Sequence, residues 1–231
     1  MALLKQSRKS YQTYGFSADA TLRAENIVFD AMGYPAFDVV LNGQKLFAAK
    51  LNVPGRHNVL NALAALCIAR RFGVSDAAII SALSEYTLTK RRFEYYGEVN
   101  GVKFYHDYAH HPNEIAACLS AATHTPHERI WCVFQLNSWS RGKTLYEKYI
   151  RCFSDADFVL VPDIYPGREQ DRGLIHATDL VRGIREQGKA CEYLPTFAEI
   201  RNYLRAHAKP GDLVLGVGSG DIHVQLRTLM K

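Results

Sequence analysis

At 231 residues with ordinary apolar and charged fractions, the chain can bury a real core and suits two modest domains or one large one. Its formal charge of +5 is mild and its Lys and Arg residues are scattered rather than striped. That argues against duplex nucleic acid as a partner and leaves small anions such as phosphates as better candidates. No apolar stretch approaches the roughly 20 residues needed to span a bilayer, and the N-terminus lacks the apolar centre of a signal peptide, so no membrane partner is expected. Cys67, Cys118, Cys132, Cys152 and Cys191 are odd in number and show no CxxC pairing, and they read as buried thiols of a cytoplasmic protein.

Met1 to about Val53 reads as β structure, with strands at 24–29, 36–41 and 44–49 and a tight hairpin at Asn42-Gly43. This resembles the last part of a sheet, and the opening Met1–Lys5 looks like nothing that would cap a domain, so the expectation is a chain that begins inside a larger architecture. Pro54-Gly55-Arg56-His57-Asn58 opens a helical run over 59–70, apolar nearly all round and so expected to be buried, with Gly73 at its C-cap. Asn58 and Asn61 share a face near its N-terminus, where free N–H groups favour a polar or anionic partner. From the residues alone, the simpler reading is that Asn58 caps the helix and Asn61 satisfies a backbone group. Ser75 is expected to cap a second helix, Asp76 to Tyr86, and Thr87-Leu88-Thr89-Lys90 reads as a linker.

Beyond the linker, strands and helices alternate, the pattern of a parallel sheet covered on both faces. A hairpin turns at Asn100-Gly101. Strands follow at Ile130–Phe134, Phe158–Val161, Glu192–Leu194 and Leu213–Val217, with helices from Pro112 to about Ala122, Lys143 to Phe153, Ala177 to Gln187, Phe197 to Ala206, and after Asp221. The fold class is α/β: a Rossmann-like C-terminal domain over 89–231 with a mostly parallel sheet, preceded over 1–88 by a partial β-rich and helical region.

The most informative stretch is Tyr105-His106-Asp107-Tyr108-Ala109-His110-His111-Pro112-Asn113-Glu114, a polar loop between an apolar strand and a helix, at the carboxyl edge where open α/β sheets bind ligands. A carboxylate such as Asp107 at a strand end commonly grips a ribose or positions a cation. The three histidines invite a metal reading, but Pro112 excludes a regular helix through them and no second ligand cluster is evident, so substrate contact is the better expectation and no metal site is assigned. Arg91-Arg92 stands between the two regions, where a guanidinium could clamp a phosphate; solvated surface arginines are the alternative. Arg141, after the next strand, could take a carboxylate in bidentate fashion. Gly216-Val217-Gly218-Ser219-Gly220 has the wrong glycine spacing for a dinucleotide fingerprint, and too few residues follow to supply a ribose-binding acid, which argues against nicotinamide.

Several separated stretches together resemble the ATP-dependent Mur ligases of peptidoglycan synthesis. They are Tyr14–Ala20 with Arg23–Asn26, Pro54–Ala62, Arg91–Glu94, Asp107–Pro112, Ile164–Glu169 and Gly218–Asp221, in matching order along nearly the whole chain. The Asp-Tyr-Ala-His-His-Pro loop points to the alanine-adding branch or its murein-peptide-recycling relative. The resemblance implies a reaction in which ATP phosphorylates a carboxylate of UDP-N-acetylmuramate and the amine of L-alanine attacks the acyl phosphate. It implies nucleotide contacts from His57, Asn58 and Asn61, phosphate contact from Arg92, ribose contact from Asp107, and an amino-acid wall of Tyr108, His110 and Arg141, with Arg92, Asp107 and His110 closest to the chemistry.

Two departures qualify what the resemblance implies. The phosphate loop of the family occurs nowhere in this chain, and the acid and histidine that hold Mg2+ are expected upstream of residue 1, as is the substrate-binding N-terminal domain. Residues 1–88 therefore read as the tail of the central domain, and the chain by itself is expected to bind nucleotide weakly and to form no amide. Where the alanine ligases read F-Q-P-H-R-Y-S-R, this chain reads Phe134-Gln135-Leu136-Asn137-Ser138-Trp139-Ser140-Arg141. Loss of one charge-assisted clamp at Ser138 would weaken carboxylate binding by roughly 1.5 to 3 kcal/mol without compensation, which opens the acceptor to another amino acid or a short peptide. A non-catalytic binding module is the remaining alternative.

Overall fold

A computed structural model describes residues 11–30, 33–87 and 89–231, and the chain divides into two compact units, Met1–Thr87 and Leu88–Lys231. The opening Met1–Lys5 and the linker residue Leu88 lie outside the described residues.

In the first unit, β1 (Tyr14–Gly15), β2 (Leu22–Phe29), β3 (Pro35–Leu41) and β4 (Gln44–Lys50) form one sheet in that order, β1 parallel to β2 and the other pairs antiparallel. Asn42 and Gly43 both take positive φ, 49° and 84°, so the turn twists in the sense the flanking strands require. A bulge between Glu25 and Val28 puts Asn26 at φ 52°, and its side-chain amide donates to Asp38 at 2.9 Å. Helix α1 (Arg56–Arg71) buries Val59, Ala62, Leu63 and Leu66, spacings of three and four that trace one stripe. The expectation that α1 is buried all round is corrected here: Ile68 is 61% exposed, because an apolar composition does not place a partner on every face. The helix ends in a Schellman motif, Gly73 N–H donating to Arg70 and Val74 N–H to Ala69, with Phe72 as the cap and Gly73 (φ 78°) one residue beyond. Ser75 caps α2 (Asp76–Glu85), its hydroxyl accepting from the Ala78 amide.

The second unit holds a six-stranded sheet. β5 (Glu94–Val99) and β6 (Val102–Asp107) form an antiparallel hairpin at Asn100-Gly101, and β7 (Ile130–Phe134), β8 (Phe158–Val161), β9 (Ala190–Tyr193) and β10 (Leu213–Val217) run parallel to β6 in the order β5-β6-β10-β7-β8-β9. The last strand is thus inserted between the first two parallel ones. Helices α3 (Pro112–Ala122), α4 (Trp139–Thr144), α5 (Tyr146–Tyr149) and α6 (Ala177–Glu186) share one core with Ile130, Cys132, Phe134, Val159 and Leu215. The alternate residues Trp131, Val133, Leu160 and Val214 face α7 (Phe197–His207) and α8 (Ile222–Leu229). From β6 to β9 the chain advances across the sheet and its helices stay on one face. The return from β9 to β10 reverses that direction, so a right-handed crossover puts α7 on the other face.

Several element bounds shift by one to four residues from expectation, and two of the differences have a tertiary cause. The single helix expected over 143–153 begins earlier, at Trp139, and is interrupted at Leu145, which leaves helical geometry with ψ 18°. The strand expected at 192–194 is Ala190–Tyr193, because its register is set by pairing with Phe158–Val161 rather than by its own residues.

Candidate functional site

In the second unit, the carboxyl ends of β6, β7, β8 and β10 bring four polar loops to one rim, and backbone hydrogen bonds tie them together. Gly218 N–H donates to Asp107 O at 3.1 Å, Gln135 N–H to Val217 O at 3.0 Å, and Tyr165 N–H to Leu136 O at 2.8 Å. Open α/β sheets place ligands at this edge because side chains beyond the strand ends converge there with unpaired loop amides.

Asp107 ends β6 and is buried, and both of its carboxylate oxygens are engaged: Oδ2 accepts from the Phe93 amide at 2.8 Å and Oδ1 from the Ala109 amide at 2.7 Å. Burial pushes its pKa up against the opposing pull of those amides and of Arg92. Its first effect is therefore to hold the Arg91–Glu94 turn against the loop after β6. Arg91, at φ 67°, accepts from the Tyr108 amide at 2.7 Å through its carbonyl; its guanidinium covers the Tyr108 ring at 4.6 Å and approaches the carbonyls of Ser219 and Gly220 at 3.5 Å. Arg92 is exposed and stands 5.5 Å from the same ring. Of the two arginines, Arg91 anchors the turn and Arg92 is the one left to solvent.

Tyr108 meets His110 edge-on at 5.3 Å, and His110 Nδ1 donates to the Tyr108 carbonyl at 3.1 Å. Glu114 accepts from the His110 and His111 amides at 3.1 and 3.2 Å. Burial raises its pKa, but those two amides and the nearby His110 outweigh it and hold the carboxyl below its usual range. His111 is the N-cap of α3: its ring accepts from the Asn113 amide, with Pro112 at the first helical position. His106 points the other way, into the sheet, fully buried, with Nδ1 donating to Gly216 O at 2.9 Å. The three histidines thus have three different surroundings, and among the described residues no group of three or more His, Cys, Asp or Glu is arranged to hold a metal.

Tyr149 donates to the His110 carbonyl at 2.6 Å, and burial pushes its hydroxyl up to about 12 against the pull of the adjacent Arg141. Arg141 also approaches Asn137 Oδ1 at 3.4 Å. Arg92, Asp107, Tyr108, His110 and Arg141 therefore belong to one rim of one unit.

His57, Asn58 and Asn61 belong to the first unit, on the opening turns of α1. Asn58 donates to Pro54 O at 2.7 Å and accepts from Asn61 at 3.1 Å, while Asn61 is exposed. Gly55, not Asn58, is the N-cap, so the capping reading of Asn58 is set aside. Arg56 covers the Phe16 ring at 4.3 Å.

Sequence reasoning passed over Gln135 and Glu169. Gln135 donates to Asp221 at 2.8 Å and accepts from the Ile222 amide at 3.2 Å, joining the β7 loop to the start of α8. Glu169 is held down to about 2 by the Ser140 hydroxyl and amide and the Ser138 hydroxyl. For Gln135, its position directly after β7 was the available signal; Glu169 lies well beyond the end of β8, in the loop that follows it.

The second unit is a Rossmann-like α/β domain whose sheet rim presents arginines, a buried aspartate and a His-Tyr pair, and the comparisons give its family. Residues 91–220 match the family described as "Mur ligase, glutamate ligase domain" and residues 1–69 match "Mur ligase middle domain". The chain belongs to the Mur ligase family.

Among its relatives is the UDP-N-acetylmuramate--L-alanine ligase of Clostridium botulinum (strain Okra / Type B1), 43% identical over 96% of this chain and 48% of that protein. The solved structure of UDP-N-acetylmuramate-alanine ligase MurC from Thermotoga maritima superposes with a TM-score of 0.77 at 25% identity, over 94% of this chain and 46% of that one. A murein peptide ligase from Psychrobacter arcticus 273-4 gives 0.64 at 26%, over 95% and 46%. The chain spans about half the length of the curated relatives it matches. Among the described residues no helix is long and apolar enough to cross a membrane.

Proposed function

We propose that this chain supplies the acceptor side and part of the nucleotide side of an ATP-dependent ligase of peptidoglycan synthesis that joins L-alanine to UDP-N-acetylmuramate. The observation that carries the reading is the gathering of Arg92, Asp107, Tyr108, His110 and Arg141 on one rim; the likeness to alanine ligases along 96% of the chain supports it. On this reading residues 1–88 are the end of the central domain and 89–231 the C-terminal domain.

In the reaction the γ-phosphoryl group of ATP passes to the muramate carboxylate with release of ADP. The alanine amine then attacks the acyl carbon, an amide bond forms, and phosphate leaves as the amine loses its proton. The protein's part is to hold reactants in line and neutralise the charge that develops. Arg92, exposed and un-ion-paired among the described residues, is free to meet phosphate oxygens. Asp107, with one lone pair on each oxygen already engaged, keeps a second for a ribose hydroxyl. His57, Asn58 and Asn61 line the nucleotide, and Arg141, on the same rim as Tyr108 and His110, takes the amino-acid carboxylate. Among the described residues no group of three or more His, Cys, Asp or Glu is arranged to hold the Mg2+ that accompanies ATP.

The test is ATP-dependent ADP release by the longest reading frame that encodes this chain, with UDP-N-acetylmuramate and a panel of amino acids and short peptides. L-alanine should be the preferred acceptor, and Arg141→Ala should raise its KM by roughly 10- to 100-fold. A second reading, another amino acid or a short peptide as acceptor, is favoured by Asn137 and Ser138, which stand where the alanine ligases carry a histidine and an arginine; strong turnover with alanine alone would eliminate it. Equal indifference to all acceptors would sink both.

A further inference from the structure

Beneath the rim lies a set of buried polar atoms that the ligand assignments above leave unused. Among the described residues four buried side-chain nitrogen and oxygen atoms find no hydrogen-bond partner, and three of them, Arg91 Nε, His106 Nε2 and Ser219 Oγ, belong to one cluster; the fourth, Arg201 Nε, is on α7. The cluster is traced through its contacts. Arg91 Nη2 stands 3.5 Å from the carbonyl oxygens of both Ser219 and Gly220. His223 Nδ1 donates to that same Gly220 oxygen at 3.1 Å, and the His223 ring stacks on His106 with centroids 6.0 Å apart. The Arg91–Glu94 turn, the end of β6 and the loop after β10 therefore meet around these atoms.

Buried donors and acceptors in native interiors are met by protein groups or by ordered water, because an unmet one forfeits its hydration without return. The chemistry of the three atoms selects the occupant. Arg91 Nε can only donate. His106 Nδ1 faces the Gly216 carbonyl at 2.9 Å, which can only accept, so the ring proton is on Nδ1 and Nε2 offers a lone pair. Ser219 Oγ can do either. An anion would meet the Nε2 lone pair and a cation would meet the guanidinium, so neither satisfies all three. A small neutral molecule that both donates and accepts does, and three partners is the number a buried water typically has. The 3.5 Å approaches of Arg91 Nη2 are at the outer limit of a direct bond, so protein acceptors alone hold this guanidinium loosely.

We propose that Arg91 Nε, His106 Nε2 and Ser219 Oγ form a binding site for one internal water molecule. The water accepts from Arg91, donates to His106 and shares a hydrogen bond with the Ser219 hydroxyl, which locks the Arg91–Glu94 turn to the loop after β10. Arg91 comes three residues after the boundary between the two units, so the site fixes the point at which the chain enters the six-stranded sheet. This goes beyond the proposed reaction and rests on none of its ligand assignments.

A crystal structure of the chain that orders internal water should show one peak of density within about 2.7 to 3.2 Å of all three atoms. In solution, the nitrogen-15 signals of the His106 ring should report a proton on Nδ1 and a hydrogen bond received at Nε2. Ser219→Ala should shift the Nε2 signal although the two side chains share no hydrogen bond, whereas Ser120→Ala, on α3, should leave it in place. In urea at neutral pH, the unfolding constant of the Ser219→Ala, His106→Gln double variant should depart by about threefold or more from the product of the single effects, since both changes remove partners of the same water.

An Nε2 signal that is indifferent to Ser219→Ala, together with additive unfolding constants, would overturn the site. So would a crystal structure in which the three atoms are met directly by protein groups, or in which the density touches only one of them. Saturable movement of the Nε2 signal with added chloride would overturn the choice of water as the occupant.

Discussion

His106 makes the fold of the second unit sensitive to pH. Its ring is fully buried between β6 and β10, Nδ1 donates to Gly216 O at 2.9 Å, and Nε2 has no partner among the described residues. Burial pushes its pKa from 6.5 to about 4; Arg91 and His223 push the same way, while the Gly216 bond and Glu94 oppose. The folded state therefore prefers the neutral ring. The stability this confers is complete above the unfolded value of 6.5 and is lost as pH falls toward 4. The whole gap corresponds to about 3 kcal/mol, of which about 2 kcal/mol is lost by about pH 5. Both tryptophans, Trp131 and Trp139, lie in this unit, so their fluorescence in urea reports on it alone. His106→Gln, whose amide can still donate to Gly216, should be less stable at neutral pH but should lose about 2 kcal/mol less than wild type between about pH 7.5 and 5. Identical pH dependence in the two proteins would refute the assignment of that loss to His106.

Two further predictions concern the two ends of the sheet, Asp212 at the amino end of β10 and Gly218 at its carboxyl end. Asp212 is buried and accepts from Arg129 Nε at 3.0 Å and Nη2 at 2.6 Å, from Trp131 Nε1 at 2.9 Å and from the Lys209 amide at 2.9 Å. Asp212→Ala should cost about 3 kcal/mol in urea unfolding because it strands a buried indole N–H and a guanidinium; a loss under about 1 kcal/mol would mean these groups find water instead. Gly218, at φ 151°, donates to Asp107 O, and a Cβ there would stand 2.7 Å from Gln135 O. Gly218→Ala should cost about 1 to 3 kcal/mol and shift the amide signals of Asp107–Ala109, whereas Gly43→Ala, with open space around it, should cost only the price of its positive φ, about 1 kcal/mol. Equal effects at the two glycines would contradict the close approach at Gly218.

Local chemistry alone determined a good deal of this protein. Asn42-Gly43 and Asn100-Gly101 announce hairpins because both residues accept positive φ, and Pro112 after a polar decapeptide marks a strand, a loop and a helix start, since each signal acts within a few residues. Alternating strands and helices were enough to expect a covered, mostly parallel sheet and to put Asp107, Arg141 and Gly218 near its carboxyl rim. Tertiary structure decided what depends on distant partners. The insertion of β10 between β6 and β7 includes a pairing with β6 over more than a hundred residues that no local pattern encodes, and that pairing brings Gly216 to His106 and Gly218 to Asp107. The interruption at Leu145, the one-sided burial of α1 and the commitment of Glu169 to two serines on another loop are of the same kind. Propensity acts along the chain, whereas burial and hydrogen-bond partners are assigned across it, so a sequence can say which residues are fit for a site before it can say which of them will meet.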